Sequence, residues 1–358
     1  MAESFYKMLH PQRDVTSTRT LLHEAIPITG SIPSGTYGDD NIKNYTHGMF
    51  QSVYDYPHLS SSANHIFDIT LGISSNSNLY SSVSNQQSKK TNIYNQMAQI
   101  LVGHDVTGGV LQFDEQGETI SSGTKMTDVL FLNMDRILVK DEIKKGTFEM
   151  VLGMSSSYDD PFTGDTITIT DKSGSDGYLV NSPAGEYGIL YATGSCLSPT
   201  VIDNFGYTPV GLLYYQAGIV ALTASVFQEK LITSAGLRDG TYNTKDADDI
   251  LSGSNIQTMA DNFRKRLYNL QCNNTIELNS TVYFCRVNHN EFNYSTNQTY
   301  LSQSKIQVKT KSTDVPVSYI TTVGLYNDNN ELLAVAKLSE PLKKDPANEF
   351  TIRVRLDY

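Results

Sequence analysis

The sequence predicts a mainly β chain built of antiparallel, β-sandwich-like domains, with two supporting α-helices and an extended N-terminal arm. Three observations carry that reading. Short runs alternate apolar and polar residues along much of the chain, "TITIT" at 166–170 and "FTIRVRLDY" at 350–358 being the clearest, and a period of two marks half-buried strands. Two stretches, near 89–103 and 254–270, instead repeat their apolar residues at helical spacing. The first 60 residues are dense in Pro, Gly and polar residues with few periodic apolar positions. A segment of that kind buries no core of its own and either moves or lies against a neighbour.

Composition narrows the function classes. A chain of 358 residues has room for two or three domains, or for one elaborate β domain. Lys and Arg number 27 against 38 Asp and Glu, a formal net charge of -11, so no basic surface for nucleic acid is expected. Charged residues make up only 18%. Ser, Thr, Asn, Gln and Tyr supply the rest of the polarity, as on wet β surfaces that contact other subunits. Cys196, Cys272 and Cys285 are odd in number and form no CxxC, which argues against a disulfide framework and fits a reducing compartment. Cys285, within "TVYFCRV", reads as a small buried hydrophobe. The stretch "MAESFYKMLHPQRD" lacks the apolar segment of a signal peptide. The longest apolar run, "VGLLYYQAGIVALTASVF", carries Tyr214, Tyr215, Gln216 and Gly218 in its middle, so no membrane association is expected.

The elements follow in order. After the arm (1–60), "HIFDITLGIS" reads as the first strand of a mixed β domain spanning 61–155. In "KKTNIYNQMAQILVG", Ile93, Met97, Ile100 and Leu101 share one helical face, and Gly103 is a natural stop. "DVLFLNMDRILVKDEIKKGTFEMVLG" reads as strands over 129–132, 137–139 and 147–152, with "KDEIKKG" as a turn. A second, mainly β domain spans 156–358. It contains "TITIT", the turn "DKSGSDG", the strand "EYGILYA" and an apolar run that forms one strand or two around 216–218. In "SNIQTMADNFRKRLYNLQ", Ser254 and Gln257 match a capping box. Ile256, Met259, Ala260, Phe263, Leu267 and Leu270 form a stripe, and Arg264, Lys265 and Arg266 lie where cations suit the helix dipole. This helix, near 255–270, supports the second domain or packs as a linker between the two. "TIELNSTVYFCRV", "SKIQVKTK", "SYITTVGLY", "ELLAVAKL" and "FTIRVRLDY" are all strand signals, with "NDNN" a four-residue hairpin loop. The last three are expected to form a three-strand antiparallel sheet. No fixed-period repeat appears, which argues against solenoids and propellers.

Motifs for catalysis fail on inspection. In "GETISSGTK" five residues rather than four separate Gly117 from Gly123, and Thr124 precedes Lys125, so the backbone would not cradle phosphates. "HEAIP" lacks the second His of a zinc helix and is broken by Pro27. No GxSxG occurs, and Ser122–Lys125 fits S-x-x-K without its companion motifs. Asp239, Asp246, Asp248 and Asp249, and the pair Asp328 and Glu331, lack the spacing of a calcium loop, and "DKSGSDG" has D-x-S-x-S but puts Asp176 where the Gly should be, so all read as solvated loops. No catalytic, cofactor-binding or metal-binding residue is assigned, and an enzyme is not expected.

The candidate functional feature is the terminal strand. Phe350, Ile352, Val354, Leu356 and Tyr358 share one face, while Thr351, Arg353, Arg355 and Asp357 share the other. Its edge offers backbone groups for pairing. The five apolar-face residues, with Arg353 and Arg355, are therefore candidates for docking between subunits. The alternative is that the strand completes its own subunit's sheet.

"ITTVGLYNDNNELLAVAKLSEPLKK" followed by "FTIRVRLDY" resembles the C-terminal signature of virion structural proteins in contractile-tailed marine, cyanophage-type bacteriophages. "NNTIELNSTVYFCRVNHNEFNYSTNQTYLSQSKIQVK", "FLNMDRILVKDEIKKGTF" and "VNSPAGEYGILY" are similar to upstream blocks of that family, so the resemblance covers about 125–358. "GLYNDNNELLAVAKL" is also similar to a strand pair in phage tail-fibre attachment domains. The resemblance implies a structural role without catalysis or cofactors, in the baseplate or fibre-attachment region of a tail. It implies a virion location after synthesis in the host cytoplasm, and as partners copies of the chain and other virion proteins. A neck, collar or capsid-decoration position is the alternative within the particle. A carbohydrate-acting or receptor-binding tail protein is the alternative of another class, weakened by the absence of Trp.

Overall fold

The computed structural model describes residues 6–24, 39–82, 85–117, 123–155, 161–164, 166–194, 207–227, 251, 255–294, 301–302, 305–306, 313 and 315–358. The chain is mainly β and antiparallel, as the alternating patterns predict. It divides into two compact units, one of Leu22–Ile276 and one of Met1–Leu21 with Glu277–Tyr358. This division does not follow the boundaries expected near 60 and 155. A single sheet crosses both positions, because strands far apart in sequence pair within it.

In the first unit the strands of that sheet are, in chain order, β2 (Ile42–Asn44), β3 (Gln51–Tyr54), β4 (His65–Ile73), β5 (Asp128–Met134), β7 (Glu149–Gly153), β8 (Thr166–Thr170), β9 (Leu179–Ser182), β10 (Gly185–Thr193), β11 (Thr208–Tyr214), β12 (Ile219–Thr223) and β13 (Leu267–Gln271). Their spatial order is β13-β7-β8-β10-β11-β12-β5-β4-β3-β2, with β9 beside β10. The central strands are buried on both faces. Along β5, Leu130, Leu132 and Met134 enter one core while Val129 and Phe131 enter the other. The apolar run at 208–227 is indeed two strands, β11 and β12.

Helix α2 (Asn85–Leu101) buries Ile93, Tyr94, Ala98 and Leu101, while Met97 is half-buried and Ile100 is 62% exposed. The expected face is thus rotated by about one position, because Tyr94 turns its ring inward and donates its hydroxyl to the Met126 carbonyl at 2.8 Å. Gly103 ends the helix at φ +98° with its N–H on the Ala98 carbonyl, as expected. The helix crosses β4 at Gly72, where a Cβ would meet the backbone N and Cα of Tyr94 at 2.9 Å. Because backbone cannot swing aside, Gly72→Ala is expected to cost about 1–3 kcal/mol. A shift in the urea unfolding midpoint with an unchanged slope checks this.

Between β5 and β7, 137–139 is not a strand. Arg136–Val139 is the single helical turn α3, capped by Asp135, whose carboxylate accepts the Ile137 N–H at 2.8 Å. Lys140 ends it at φ +57°. The strand β6 (Glu142–Ile143) follows. Later in the chain, α5 (Ile256–Arg266) buries Ile256, Met259, Ala260 and Phe263 as predicted, but its cap is Asn255, which accepts the Thr258 N–H at 2.7 Å. Ser254 lies outside the described residues, and Gln257 donates to the Tyr45 carbonyl at 3.0 Å. Leu267 and Leu270 are buried on β13 rather than on the helix.

Two short helices complete the numbering, α1 (Pro11–Asp14) and α4 (Gly174–Gly177). The remaining strands are β1 (Val15–Glu24), β14 (Asn274–Val287), β15 (Leu301–Ser302), β16 (Lys305–Ile306), β17 (Ser318–Tyr326), β18 (Leu332–Lys344) and β19 (Phe350–Asp357). They bear on two expectations. Within the arm, expected to move or lie against a neighbour, residues 15–24 are a strand beside the chain's own β14, and 42–44 with 51–54 belong to the large sheet. The last three strands do not form one sheet. β17 and β18 pair with each other, while β19 pairs with β14 in the order β1-β14-β19.

Candidate assembly surface

The terminal strand keeps the two-faced pattern read from its sequence. Val354 is buried, and Phe350, Ile352 and Leu356 are half-buried, whereas Thr351, Arg353, Arg355 and Asp357 are exposed. Tyr358, placed on the apolar face, is 73% exposed. Its backbone still exchanges both hydrogen bonds with Asn279, at 2.8 and 3.0 Å. Antiparallel partners alternate between pairs that exchange hydrogen bonds and pairs that do not. The register runs from Ser280 opposite Asp357 to Val287 opposite Phe350. The backbone groups of residues 350, 352, 354, 356 and 358 therefore point to β14, and those of Thr351, Arg353, Arg355 and Asp357 point to the outer edge. Among the described residues no strand pairs with that edge.

Side chains fix the strand on its inner side. The Tyr358 and Thr281 hydroxyls lie 3.0 Å apart, and Thr281 meets Ser17 of β1 at 3.1 Å, a hydroxyl row across three strands. Arg355 donates to Asp357 and to Ser280, both at 2.7 Å. Asp357 also accepts from Ser280, and that bond, followed by Arg355, holds its carboxyl below the usual range. On the other flank Arg286 donates to Asp14 at 2.9 Å. Sequence reasoning missed this docking of 11–21. The signal was "DVTSTRTLL", whose β-branched content favours a strand.

The β17–β18 hairpin is a second exposed element of the same unit. Its base is held by Lys344, fully buried, which donates to the His289 carbonyl at 3.1 Å, the Asn293 side chain at 2.6 Å and the Asp345 carbonyl at 2.8 Å. These satisfy all three ammonium donors. Near the turn, Asn327 pairs with Glu331 and Asn330 takes φ +62°. Asp328 and Glu331, read as a solvated loop, are exposed there. Tyr326 and Leu332 close over Gly324, where a Cβ would meet the Tyr326 ring at 2.9 Å. Tyr6 packs edge-on against Tyr326 at 5.1 Å. Leu333 is 68% and Val335 51% exposed.

The larger unit holds one polar constellation with the residue types of catalysis. His65 lies between Asp68 and Asp135, with each ring nitrogen 2.8 Å from a carboxylate oxygen. Bonding to Asp68, reinforced by Asp135, pushes its pKa up to about 9 against the opposing effect of burial. An imidazolium with both N–H groups committed accepts no proton. Ser52 donates to Asp68 at 2.5 Å rather than to the ring. His65, held as a cation, therefore supplies no general base for a serine nucleophile. It ties β3, β4 and the cap of α3 together.

Other sequence candidates are structural or lie elsewhere. "DKSGSDG" is only partly a solvated loop. Asp176 is exposed, but Asp171 is buried and accepts from the Gly146 N–H at 2.7 Å, the Phe148 N–H at 3.0 Å and the Tyr215 hydroxyl at 3.1 Å. Burial pushes its pKa up to about 6. Asp239, Asp246, Asp248, Asp249 and Cys196 lie outside the described residues. Cys285 is only half-buried, while Cys272 is buried. Among the described residues no group of three or more His, Cys, Asp or Glu side chains has metal-binding geometry. No helix among them is long and apolar enough to cross a membrane. A cavity lined by Leu101, Asp114, Asn181, Tyr187 and Tyr214 has room for about one water. Comparison of the chain with protein-family models, curated proteins and solved structures finds no match.

Proposed function

We propose that this chain is a structural subunit of a bacteriophage virion, tail-associated in the baseplate or fibre-attachment region, acting by subunit docking without catalysis. The observation that supports it best is the outer edge of β19. Four successive outward-facing positions, Thr351, Arg353, Arg355 and Asp357, offer backbone groups to which an extended segment of a neighbour adds as a strand. The backbone groups of Phe350, Ile352, Val354, Leu356 and Tyr358 stay with the chain's own β14, so docking requires no refolding. The partners are copies of this chain and other virion proteins, in accord with the family its closing segments resemble.

The edge is separable from the fold. Proline lacks an N–H, and Arg353 directs its own outward, so Arg353→Pro removes an outer donor while leaving the bonds to β14 in place. It is expected to fold with near-normal stability and to be lost from assembled particles. Ile352→Pro, one residue away, breaks a bond to β14 and destabilises the subunit itself. Incorporation into washed virions, measured beside unfolding curves, distinguishes the two. A chain absent from washed virions ends the proposal. Density for the traced chain separates the baseplate and fibre region from neck and capsid positions.

A further inference from the structure

We propose that β18 is a homodimerisation strand, pairing antiparallel with β18 of a second copy about a two-fold axis at Ala334. Within its own subunit β18 pairs only with β17 among the described residues. An isolated two-stranded sheet is marginal in water, and this one leaves Leu332, Leu333 and Val335 half or more exposed. The register with β17 shifts near the turn, with Ala334 opposite Leu325 but Leu332 opposite Tyr326. Leu333 is left as the extra, outward residue.

The stretch Glu331–Lys337 reads E-L-L-A-V-A-K, and self-complementarity identifies the occupant. In a two-fold pairing centred on Ala334, each Glu331 lies opposite Lys337 of the other copy. Leu332 lies opposite Ala336, Leu333 opposite Val335, and Ala334 opposite itself. Every charge meets its opposite and every apolar residue meets an apolar one, twice over, as an isologous interface requires. Glu331, Leu333, Val335 and Lys337 are exposed and Ala334 and Ala336 half-buried, as alternation requires, while Leu332, beside the bulge at Leu333, is exposed too. Among the described residues Lys337 forms no ion pair. The Glu331 carboxylate accepts one bond, from the Asn327 side chain at 2.6 Å, which leaves acceptor capacity for an ammonium group. The result is a four-stranded sheet made from two hairpins.

This deepens the assembly reading but fails separately from it. Absence from washed virions leaves a β18 dimer standing, and a monomer found in virions ends only this inference. The test is sedimentation of the purified full chain. The wild type is expected to be a dimer, and Lys337→Glu, which places carboxylates opposite each other twice, should weaken it on the order of tenfold or more. Glu331→Lys with Lys337→Glu in one chain restores the complementarity and should restore the dimer, which excludes misfolding as the cause. Ala334→Cys should give a 334–334 disulfide, identified by mass spectrometry, that Ser339→Cys does not give at 339. A wild-type monomer overturns the proposal, as does a dimer indifferent to Lys337→Glu and without the 334–334 link.

Discussion

Arg266→Ala is expected to lower the unfolding free energy by about 3–5 kcal/mol. Arg266 is the last residue of α5 and is fully buried. Its Nη1 donates to the Gly153 carbonyl at 2.8 Å and its Nη2 to the Ser155 carbonyl at 3.0 Å. Gly153 ends β7, so one guanidinium satisfies the chain where it leaves the sheet. Removing it takes a charged donor from two carbonyls and leaves a cavity. Arg266→Lys keeps the charge but replaces a planar fork by a single ammonium point, so it should recover little of the loss. Urea unfolding of the two variants, followed by circular dichroism, orders them. A loss below about 1 kcal/mol for Arg266→Ala would remove the guanidinium from any structural role.

The same residue shows where the sequence stopped being legible. Arg264, Lys265 and Arg266 read alike as cations at a helix terminus, yet Arg264 and Arg266 are buried. Nothing local distinguishes a cation that reaches water from one that reaches two carbonyls more than a hundred residues upstream. Local features fared better. The "NDNN" turn, the glycine stop at Gly103 and the two faces of 350–357 each depend on a few neighbouring residues, and each is where it was expected. Pairing is not local. The strand partner of 350–357 is β14, some seventy residues earlier, and not the adjacent β18. The intervening "SEPLKKDPANE" gives no sign of that choice. In 137–139, three apolar residues suit a strand or a helical turn equally. Asp135 decides it by capping, an interaction invisible to periodicity. For the candidate surface, the alternation named the residues that face outward, but which edge stays open required the register.

His65 carries the second large effect, a loss of stability on going from neutral to alkaline pH. Its folded pKa of about 9 stands above the ordinary value of about 6.5. A raised cationic pKa contributes stability that is fully present below the unfolded value and disappears as pH climbs through the folded one. The window is thus about pH 6.5 to 9, and the linkage across it amounts to about 3 kcal/mol at most. The side chain is a quarter exposed, so solvent screening lowers this figure but does not remove it. His65→Gln has no such proton to lose. The stability difference between wild type and His65→Gln should therefore shrink between pH 6 and pH 9.5, a comparison in which the other titrating groups cancel. Asp68→Asn removes the largest cause and should move the imidazole midpoint down further than Asp135→Asn. NMR titration of the ring protons reads that midpoint directly. A wild-type midpoint near 6.5 would mean that the two carboxylates do not hold the ring as a cation. His65 would then be neutral at physiological pH and free to accept a proton.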